Sequence, residues 1–442
     1  MATQQVHATD VNVAKSRDML ADLSAGYGTR DFAVRFWDGS TWEPEGGLPA
    51  RFTLVLKHAG ALRAMFWPFN SKAFGESYVF DDYDVEGDIH TFFGWVRHLI
   101  NRGWGLGKNL RFLMRLMGLP NTTKPRVGGP QGAVLSGTKR SLDRDRQAIG
   151  FAYDTSNAFY KLFLDRNMLY SCAYFHSPDE HIDVAEERKM DLVCRKLRLQ
   201  PGERMMDVGC GWGGLIVHAA KHYGVQVVGL TLSKEQAGYA AERIRAEGLQ
   251  DRCRVEFMDY REIPPTGDYD KVSCVGLAEH IGEQMLPVLM KSVWGALKPR
   301  GHYLHHGITL RANTPYPKWS AFARRYVFPD GEVRPILSAL RAGESVGFEI
   351  RDVESLREHY ILTLEAWVRR LEANREEAIR LTDEVTYRIF RIYLAGAARG
   401  YRSGLYNLYQ TLFVKPDADG VTGLPLTREG WYARGERGAS AP

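Results

Sequence analysis

The 442-residue chain has no run of 18 apolar residues, only five cysteines, no Cys-x-x-Cys and no Cys/His pair at zinc spacing. Without a long apolar run, no segment is expected to cross a membrane as a helix. The cysteines, at 172, 194, 210, 253 and 274, are odd in number and irregularly spaced. That excludes a disulfide framework and a zinc site, and predicts a reducing compartment with no metal. Met1-Ala2-Thr3-Gln4-Gln5 has neither the basic start nor the apolar stretch of a secretory leader, so the expected location is cytoplasmic. Acid is missing locally as well. From Ile89 to Leu142 there is no Asp or Glu, while nine Lys or Arg carry +9 of a chain whose total is +5. The positive charge is therefore local. The remaining composition, 44% hydrophobic and 25% charged, is that of a soluble globular protein long enough for two domains.

The most informative stretch is Met205-Met206-Asp207-Val208-Gly209-Cys210-Gly211-Trp212-Gly213-Gly214. A short apolar run ends in Asp207, a glycine turn follows, and a helix pattern starts near Leu215. Glycines at this spacing let a strand–turn–helix backbone approach a nucleotide-like cofactor, although glycine clusters also make ordinary tight turns. The flanking pattern favours the cofactor reading. Strand and helix patterns then alternate: 225–230, 234–247, 254–258, 271–275, 284–297 and 302–306. Such alternation predicts a parallel sheet covered on both faces, with ligand at the carboxyl ends of the strands. Those ends carry Gly209 and Gly211, then Thr231, Leu232 and Gln236, then Asp259 and Tyr260, then Glu279 and His280, and last His306 and Ile308. Singly each has a dull explanation, as a cap, a core aromatic or a structural histidine. Their succession at strand ends favours a site. The second strand ends Gly229-Leu230-Thr231-Leu232-Ser233, with no acid before Glu235 to hold a ribose, which disfavours NAD.

Before this domain, Val11–Leu23 reads as a helix after a frayed end at 1–10. Runs at 32–36, 52–56 and 62–66 read as strands of a small β-rich or α+β domain. The acid-free stretch from Thr91 to Met117 interleaves Phe, Trp and Leu with cations. Two readings are open: a helix whose apolar face packs on the core, or an interfacial helix meeting anionic lipid headgroups. There is no recognised nucleic-acid motif, and the bulky apolar content suits lipid better. Residues 121–139, rich in Pro and Gly, read as a linker. Beyond the sheet, 362–381 and 386–401 read as helices. Arg391, Arg399 and Arg402 are solvated or meet phosphate, and residues 416–442 read as a loose tail.

Four motifs are similar to those of the cyclopropane-fatty-acyl-phospholipid synthase family and the related mycolic acid cyclopropane synthases. They are Tyr170-Ser171-Cys172-Ala173-Tyr174-Phe175, Asp207 to Gly214, Val228-Gly229-Leu230-Thr231-Leu232-Ser233 and Ala278-Glu279-His280-Ile281-Gly282. The resemblance covers roughly residues 147–415, and the region before it resembles the family's smaller lipid-binding domain. It implies an α/β class I S-adenosylmethionine-dependent methyltransferase domain, Rossmann-like, with a smaller N-terminal α+β lipid-binding domain. The implied layout is 1–120 for lipid and membrane association, 121–140 linker, 141–415 catalytic domain and 416–442 tail.

By similarity the donor is S-adenosylmethionine and the acceptor is a cis double bond in a membrane phospholipid. Ser171, Gly209 and Gly211 would line the methionine and sulfonium end, Thr231, Leu232 and Gln236 the ribose, and Asp259 and Tyr260 the adenine, with Tyr170 and Asp207 also among the donor contacts. A bicarbonate ion would sit among Cys172, Glu279, His306, Ile308 and Tyr360. The implied chemistry is attack of the alkene on the sulfonium methyl, then loss of a proton from the resulting carbocation to bicarbonate. Tyr174 or Tyr360 would offer a cation–π face, and Cys172 would be a packing contact rather than a nucleophile. The resemblance also suggests a homodimer lying peripherally on the inner face of the cytoplasmic membrane, without nucleic acid. Rival readings are a methylene- or methyl-branched product, a small-molecule N-methyltransferase, and a lipid-surface protein without activity.

Overall fold

The computed structural model describes residues 10–122, 132–314 and 321–432, and it divides into two compact units. Residues 1–9, 123–131 of the expected linker and 433–442 of the expected tail lie outside the described residues. The first unit comprises 1–131 with 316–323 and 383–399, and the second holds the remainder. The unit boundaries thus differ from the sequence layout, because 383–399 were expected inside a catalytic domain at 141–415.

In the first unit, α1 (Val11–Ser24) precedes β1 (Ala33–Arg35), β2 (Thr41–Trp42), β3 (Phe52–Leu56), α2 (Ala61–Phe66), α3 (Ser71–Val79), β4 (Tyr83–Gly87), α4 (Ile89–Asn101) and α5 (Leu106–Met117). The strands form a sheet in the order β2-β1-β3-β4. The run at 62–66, expected as a strand, is helix α2 instead. Ala-Leu-Arg-Ala-Met-Phe has no β-branched residue, and Ala61, Leu62 and Met65 bury one helical face. An aromatic core closes the sheet: Phe32 stacks on Phe52 at 4.8 Å, and Phe92 and Trp95 of α4 lie over them.

The two helices of the basic stretch part company. Asp88 caps α4, whose Ile89, Phe92, Trp95 and Val96 are buried. Helix α5 buries only Phe112 and Leu116. Leu106, Leu110 and Met114 stand 90%, 58% and 60% exposed, at i, i+4 and i+8. Core packing therefore accounts for α4 and not for α5. Arg391, expected in solvent or on phosphate, is buried in this unit and donates to Tyr78 Oη at 2.7 Å and Val85 O at 3.0 Å.

The second unit begins with α6 (Leu142–Tyr153), α7 (Asn157–Lys161) and α8 (Ile182–Leu197). Alternating elements follow: β5 (Arg204–Val208), α9 (Gly214–Tyr223), β6 (Gln226–Thr231), α10 (Lys234–Ala246), β7 (Cys253–Phe257), β8 (Tyr269–Val275), α11 (Ala278–Ile281), α12 (Leu286–Ala296) and β9 (Leu297–Leu310). After α13 (Ala321–Tyr326), of which 324–326 fall in this unit, come α14 (Ile336–Ser345), β10 (Glu349–Ser355), α15 (Arg357–Ala373) and α16 (Arg375–Leu381); α17 (Glu384–Arg402) belongs through Arg399 to the first unit, and β11 (Tyr406–Val414) and α18 (Glu429–Tyr432) complete the second. The helix expected at 362–381 is two helices, α15 and α16, meeting at Asn374. Arg402 donates to Glu365 at 2.8 Å rather than standing in solvent. Part of the expected loose tail is anchored: Trp431 is buried and Arg300 donates to Asp417 at 2.6 Å.

The seven strands lie in the order β10-β11-β9-β8-β5-β6-β7. From β9 to β7 the pairings are parallel, as the alternation predicts, but β11 runs antiparallel to both of its neighbours. The wholly parallel expectation is thus corrected at β11. That strand follows α17 through a short turn and enters the sheet from the opposite end. Period two governs the central strands: Met206 and Val208 pack toward α12 and α14, and Met205 and Val227 toward α8 and α9. Both faces are covered, which is why these strands read as continuous apolar runs.

Gly229 in β6 faces the turn after β5. A Cβ there would lie 2.8 Å from Cys210 Cβ and Sγ and from Ile216 Cδ1. Gly229→Ala should therefore cost about 1–3 kcal/mol, read as a lower urea midpoint. An unchanged midpoint would show that the turn yields freely.

Candidate active site

The order of strands around β5 creates a switch point, because β6 leaves to one side and β8 to the other. There the chain turns through Gly209, Gly211 and Gly213 at φ +83°, +56° and +83°, values that side-chain-bearing residues adopt only with strain. The N–H groups of Gly209 and Cys210 both donate to Leu230 O, at 2.9 and 2.8 Å, tying the turn to the end of β6.

This turn walls a cleft, open at its mouth, whose empty space amounts to roughly 930 Å³ with the solvent at the mouth included. All ten residues expected to contact cofactor line it. Tyr170 and Ser171 come from the loop before α8, and Asp207, Gly209 and Gly211 from β5 and its turn. Thr231, Leu232 and Gln236 come from the junction of β6 and α10, and Asp259 and Tyr260 from the end of β7. Local capping holds them in place. Ser233 caps α10 and accepts from Gln236 N at 3.1 Å, while Thr231 Oγ1 donates to Gln236 Oε1 at 2.8 Å. Asp259 caps the turn after β7 and takes Nε and Nη2 of Arg261, at 2.5 and 2.8 Å. Both of its carboxylate oxygens are thus engaged by protein.

Asp207 is buried and accepts from Ser273 Oγ at 2.6 Å; loss of water pushes its carboxyl up to about 6 against the pull of Ser273 and Lys189. Tyr260 Oη is buried without a partner among the described residues, so the cleft holds an unspent polar position at its β7 end.

Beside the cleft, at β9, a second group of expected residues gathers. His306 and Ile308 are two apart on β9 and face the same way. The carboxyl of Glu279 takes the backbone N–H of Ile308. Its own backbone is clamped, because Glu332 N donates to Glu279 O at 2.7 Å and Arg140 Nη1 to His280 O at 2.6 Å. Burial pushes Glu279 up to about 7 and holds the His306 imidazole well below its usual range, hence neutral. Gln410 of β11 pairs with His306 across the sheet and places Nε2 3.2 Å from His306 Nδ1. With Nδ1 accepting, Nε2 of the ring carries the proton and is a donor. Among the described residues Glu279 Oε2, His306 Nε2 and Gln410 Oε1 are all buried without a hydrogen-bond partner.

Cys172 and Tyr360 approach through Leu356. Its carbonyl accepts from Cys172 Sγ at 3.8 Å and from Tyr360 N at 3.1 Å, and its N–H donates to Leu408 O at 2.8 Å. Leu408 in turn pairs with Ile308. Burial raises the Cys172 thiol well above its usual range, which suits packing rather than nucleophilic attack. Aromatic rings continue from here, Tyr170 to Trp367 at 5.0 Å, Trp367 to Tyr360 at 6.0 Å and Tyr360 to Tyr401 at 4.9 Å.

Three residues of this region escape a reading of the sequence. Gln410 lies on the strand whose reversal was not expected. Lys189 and Glu186 sit on α8 three apart, a spacing that usually marks a surface ion pair. The available signal was their phase, since both fall on the stripe of Ile182, Val193 and Leu197 that is buried. Among the described residues no group of three His, Cys, Asp or Glu is arranged to hold a metal ion.

Comparison with known proteins places this geometry. A family model described as mycolic acid cyclopropane synthetase matches residues 140–411. A protein of Pseudomonas putida named "Probable fatty acid methyltransferase" is 47% identical over 300 residues, covering 66% of this chain and 76% of that protein. Cyclopropane mycolic acid synthase 1 of Mycobacterium tuberculosis is 34% identical over 270 residues, covering 58% of this chain and 93% of that one. The crystal structure of mycolic acid cyclopropane synthase CmaA1 complexed with SAH and CTAB superposes with a TM-score of 0.58 at 32% identity, over 61% of this chain and 98% of that chain.

The raised Glu279 carboxyl gives a test independent of activity. Between its ordinary 4.5 and about 7 the folded chain keeps a proton that the unfolded chain has released, so stability is lost as pH rises through that window. Glu279→Gln cannot ionise. Its stability relative to the parent should rise by on the order of 2–3 kcal/mol between pH 5 and pH 8.5, measured by urea unfolding at each pH. A parallel pair of curves would mean that Glu279 titrates normally.

Proposed function

The chain belongs to the mycolic acid cyclopropane synthetase family, and from that premise we propose that it builds a cyclopropane ring on the cis double bond of an unsaturated phospholipid acyl chain. Family membership makes it an S-adenosylmethionine-dependent methyltransferase of the group that forms cyclopropane and methyl-branched lipids. The observation that carries the finer reading is the trio of buried, open polar atoms on Glu279, His306 and Gln410.

Glu279 at about 7 is poised between acid and carboxylate, His306 Nε2 donates, and Gln410 Oε1 accepts. That mixed set fits bicarbonate, which has both a hydroxyl and negatively charged oxygens to be matched. When bound, S-adenosylmethionine would supply an electrophilic methyl carbon and bicarbonate, held by Glu279, His306 and Gln410, would supply a base. The remaining work falls to the chain. Gly209 and Gly211 let the backbone approach the donor, Ser171 and Asp207 line its amino-acid end, Thr231, Leu232 and Gln236 the ribose, and Asp259 and Tyr260 the base. Glu279, His306, Ile308, Cys172 and Tyr360 would surround the point where a surplus proton leaves the substrate. Tyr360 and Trp367, with Tyr401 beyond them, offer ring faces to a carbocation and exclude water from it.

A second outcome of the same chemistry is a methylene- or methyl-branched chain, formed when a different proton leaves. The name of the Pseudomonas putida relative at 47% identity favours keeping it in view. The acceptor lies in a membrane, so the enzyme works at a lipid surface, peripherally and from the cytoplasmic side. Helix α5 supports this reading. Its exposed Leu106, Leu110 and Met114 alternate with exposed Lys108 and Arg111, which make no ion pair among the described residues, and Phe69 and Trp104 flank Phe112 beside them.

Incubation with methyl-labelled donor and monounsaturated phosphatidylglycerol vesicles should yield acyl chains heavier by one CH₂ that resist diimide reduction. A product that takes up two hydrogens would replace the ring with the branched alkene, and an unlabelled lipid would remove the lipid reading altogether. For the surface, Lys108→Glu with Arg111→Glu, or Leu110→Ser with Met114→Ser, should each weaken vesicle binding about tenfold or more; raising salt should weaken binding of the unmutated protein and of the apolar variant, and much less that of the charge-reversed one. Unchanged sedimentation with vesicles in both double variants would sink the role given to α5.

A further inference from the structure

One face of α8 reads Ile182, Glu186, Lys189, Val193 and Leu197, and it is the buried face. An acid and a base therefore interrupt an aliphatic stripe, where ionisable side chains are expensive to keep. Glu186 is 0% and Lys189 2% exposed. Lys189 Nζ lies 3.2 Å from Glu186 Oε2 and donates to Ser171 Oγ at 2.7 Å. It also lines the cleft, and of the described lining residues it is the one Lys or Arg, against Asp207 and Asp259. Its place along the cleft follows from the order of strands. Asp259 comes after β7 at one end, whereas the charge on Lys189 is felt at Asp207 in β5 and at His306 on β9.

We propose that Lys189 is a positioning residue for the methyl donor, holding the carboxylate of its amino-acid end together with Ser171, while Glu186 governs how much of that positive charge reaches the cleft. The inference rests on reading the cleft as the donor site. Adenosine, at the Asp259 and Tyr260 end, is uncharged, and the amino-acid end carries the one carboxylate of the donor. The cation of the lining stands at the other end. Because sulfur and carboxylate are joined by a short chain, fixing the carboxylate limits where the methyl group can lie.

The groups facing the pair are Asp183 on the same helix, Asp165, Ser171 and Cys172 from the preceding loop, Asp207 from β5 and His306 from β9. Asp165 is occupied by the N–H groups of Asn167 and Leu169, both at 2.7 Å. Burial pushes Glu186 up to about 8, with Asp165 and Asp183 adding to the rise and Lys189 opposing it. Below that pH Glu186 is neutral and Lys189 acts on the donor undiminished. Above it the new carboxylate offsets the ammonium and the grip loosens. By reciprocity, bound donor raises Glu186 further.

Calorimetric titration of the full chain with S-adenosylhomocysteine, and with adenosine as a probe lacking the carboxylate, tests this between pH 6.5 and 9.5. The dissociation constant for S-adenosylhomocysteine should rise about tenfold across a midpoint near 8, and that for adenosine should stay level. Glu186→Gln should abolish the extra rise; the amine of the probe titrates alike in both proteins, so their difference isolates Glu186. Lys189→Met should weaken S-adenosylhomocysteine at least about tenfold while leaving adenosine within about twofold, and Lys189→Arg should recover part of the loss. Equal losses for both probes, no loss for either, or a pH response that survives in Glu186→Gln would overturn the proposal. If Lys189→Met fails to fold, the near-isosteric Glu186→Gln decides alone. Failure of the unmutated chain to bind either probe would instead remove the donor-site reading beneath it.

Discussion

A carboxyl, an imidazole and a carboxamide are held out of water at one region of the sheet, each with an atom that meets no partner among the described residues. Leaving a buried polar group unpaired costs about 1–3 kcal/mol, so three together are a substantial debt for a marginally stable fold. The surrounding frame has to carry it. Clamps on the Glu279 backbone from Glu332 and Arg140, and the pairing of β9 with β11, keep these groups from relaxing toward solvent or toward each other. The same dryness makes Glu279 hold its proton near neutrality and keeps His306 neutral, so the chemistry of the pocket and its cost have one origin.

The reversed strand is what gives His306 its partner. The parallel strands bring the glycine turn, Thr231 and Asp259 to a common edge, enough to wall the cleft at the switch point. They account for only part of the group around His306. By running antiparallel to β9, β11 sets Gln410 opposite His306 and Leu408 opposite Ile308. Leu408 then receives the Leu356 N–H at the start of α15, and α15 carries Tyr360. A parallel strand in that place would have had a different register and a different set of neighbours.

The N-terminal unit divides one basic stretch into two physical roles. The apolar side of α4 is consumed by the aromatic core over Phe32 and Phe52. Helix α5 has a comparable wealth of Leu and Met but turns most of it outward. Exposed apolar side chains in a row, with Lys108 and Arg111 between them, distinguish α5 from α4, and it is on this exposed face that the proposed contact with lipid rests.

Much of this protein was legible before its fold was known, wherever the signal is local. Glycines that tolerate positive φ, an apolar run of strand length, and a strand-end residue after each run suffice to place Gly209, Thr231 and Asp259 along one cleft, and resemblance of motifs added Tyr170 and Ser171. Local signals also misled, as at 62–66, where an apolar run without β-branching became helix α2. What the chain could not declare by itself were pairings between distant segments. That Gln410 would meet His306 depends on the direction of β11, and that Glu186 and Lys189 would lie in a dry stripe beside Ser171 depends on which face of α8 the sheet covers. Turn chemistry and periodicity act between near neighbours and are written residue by residue. Burial, strand direction and the electrostatics they create exist only once the remote parts of the chain have been brought together.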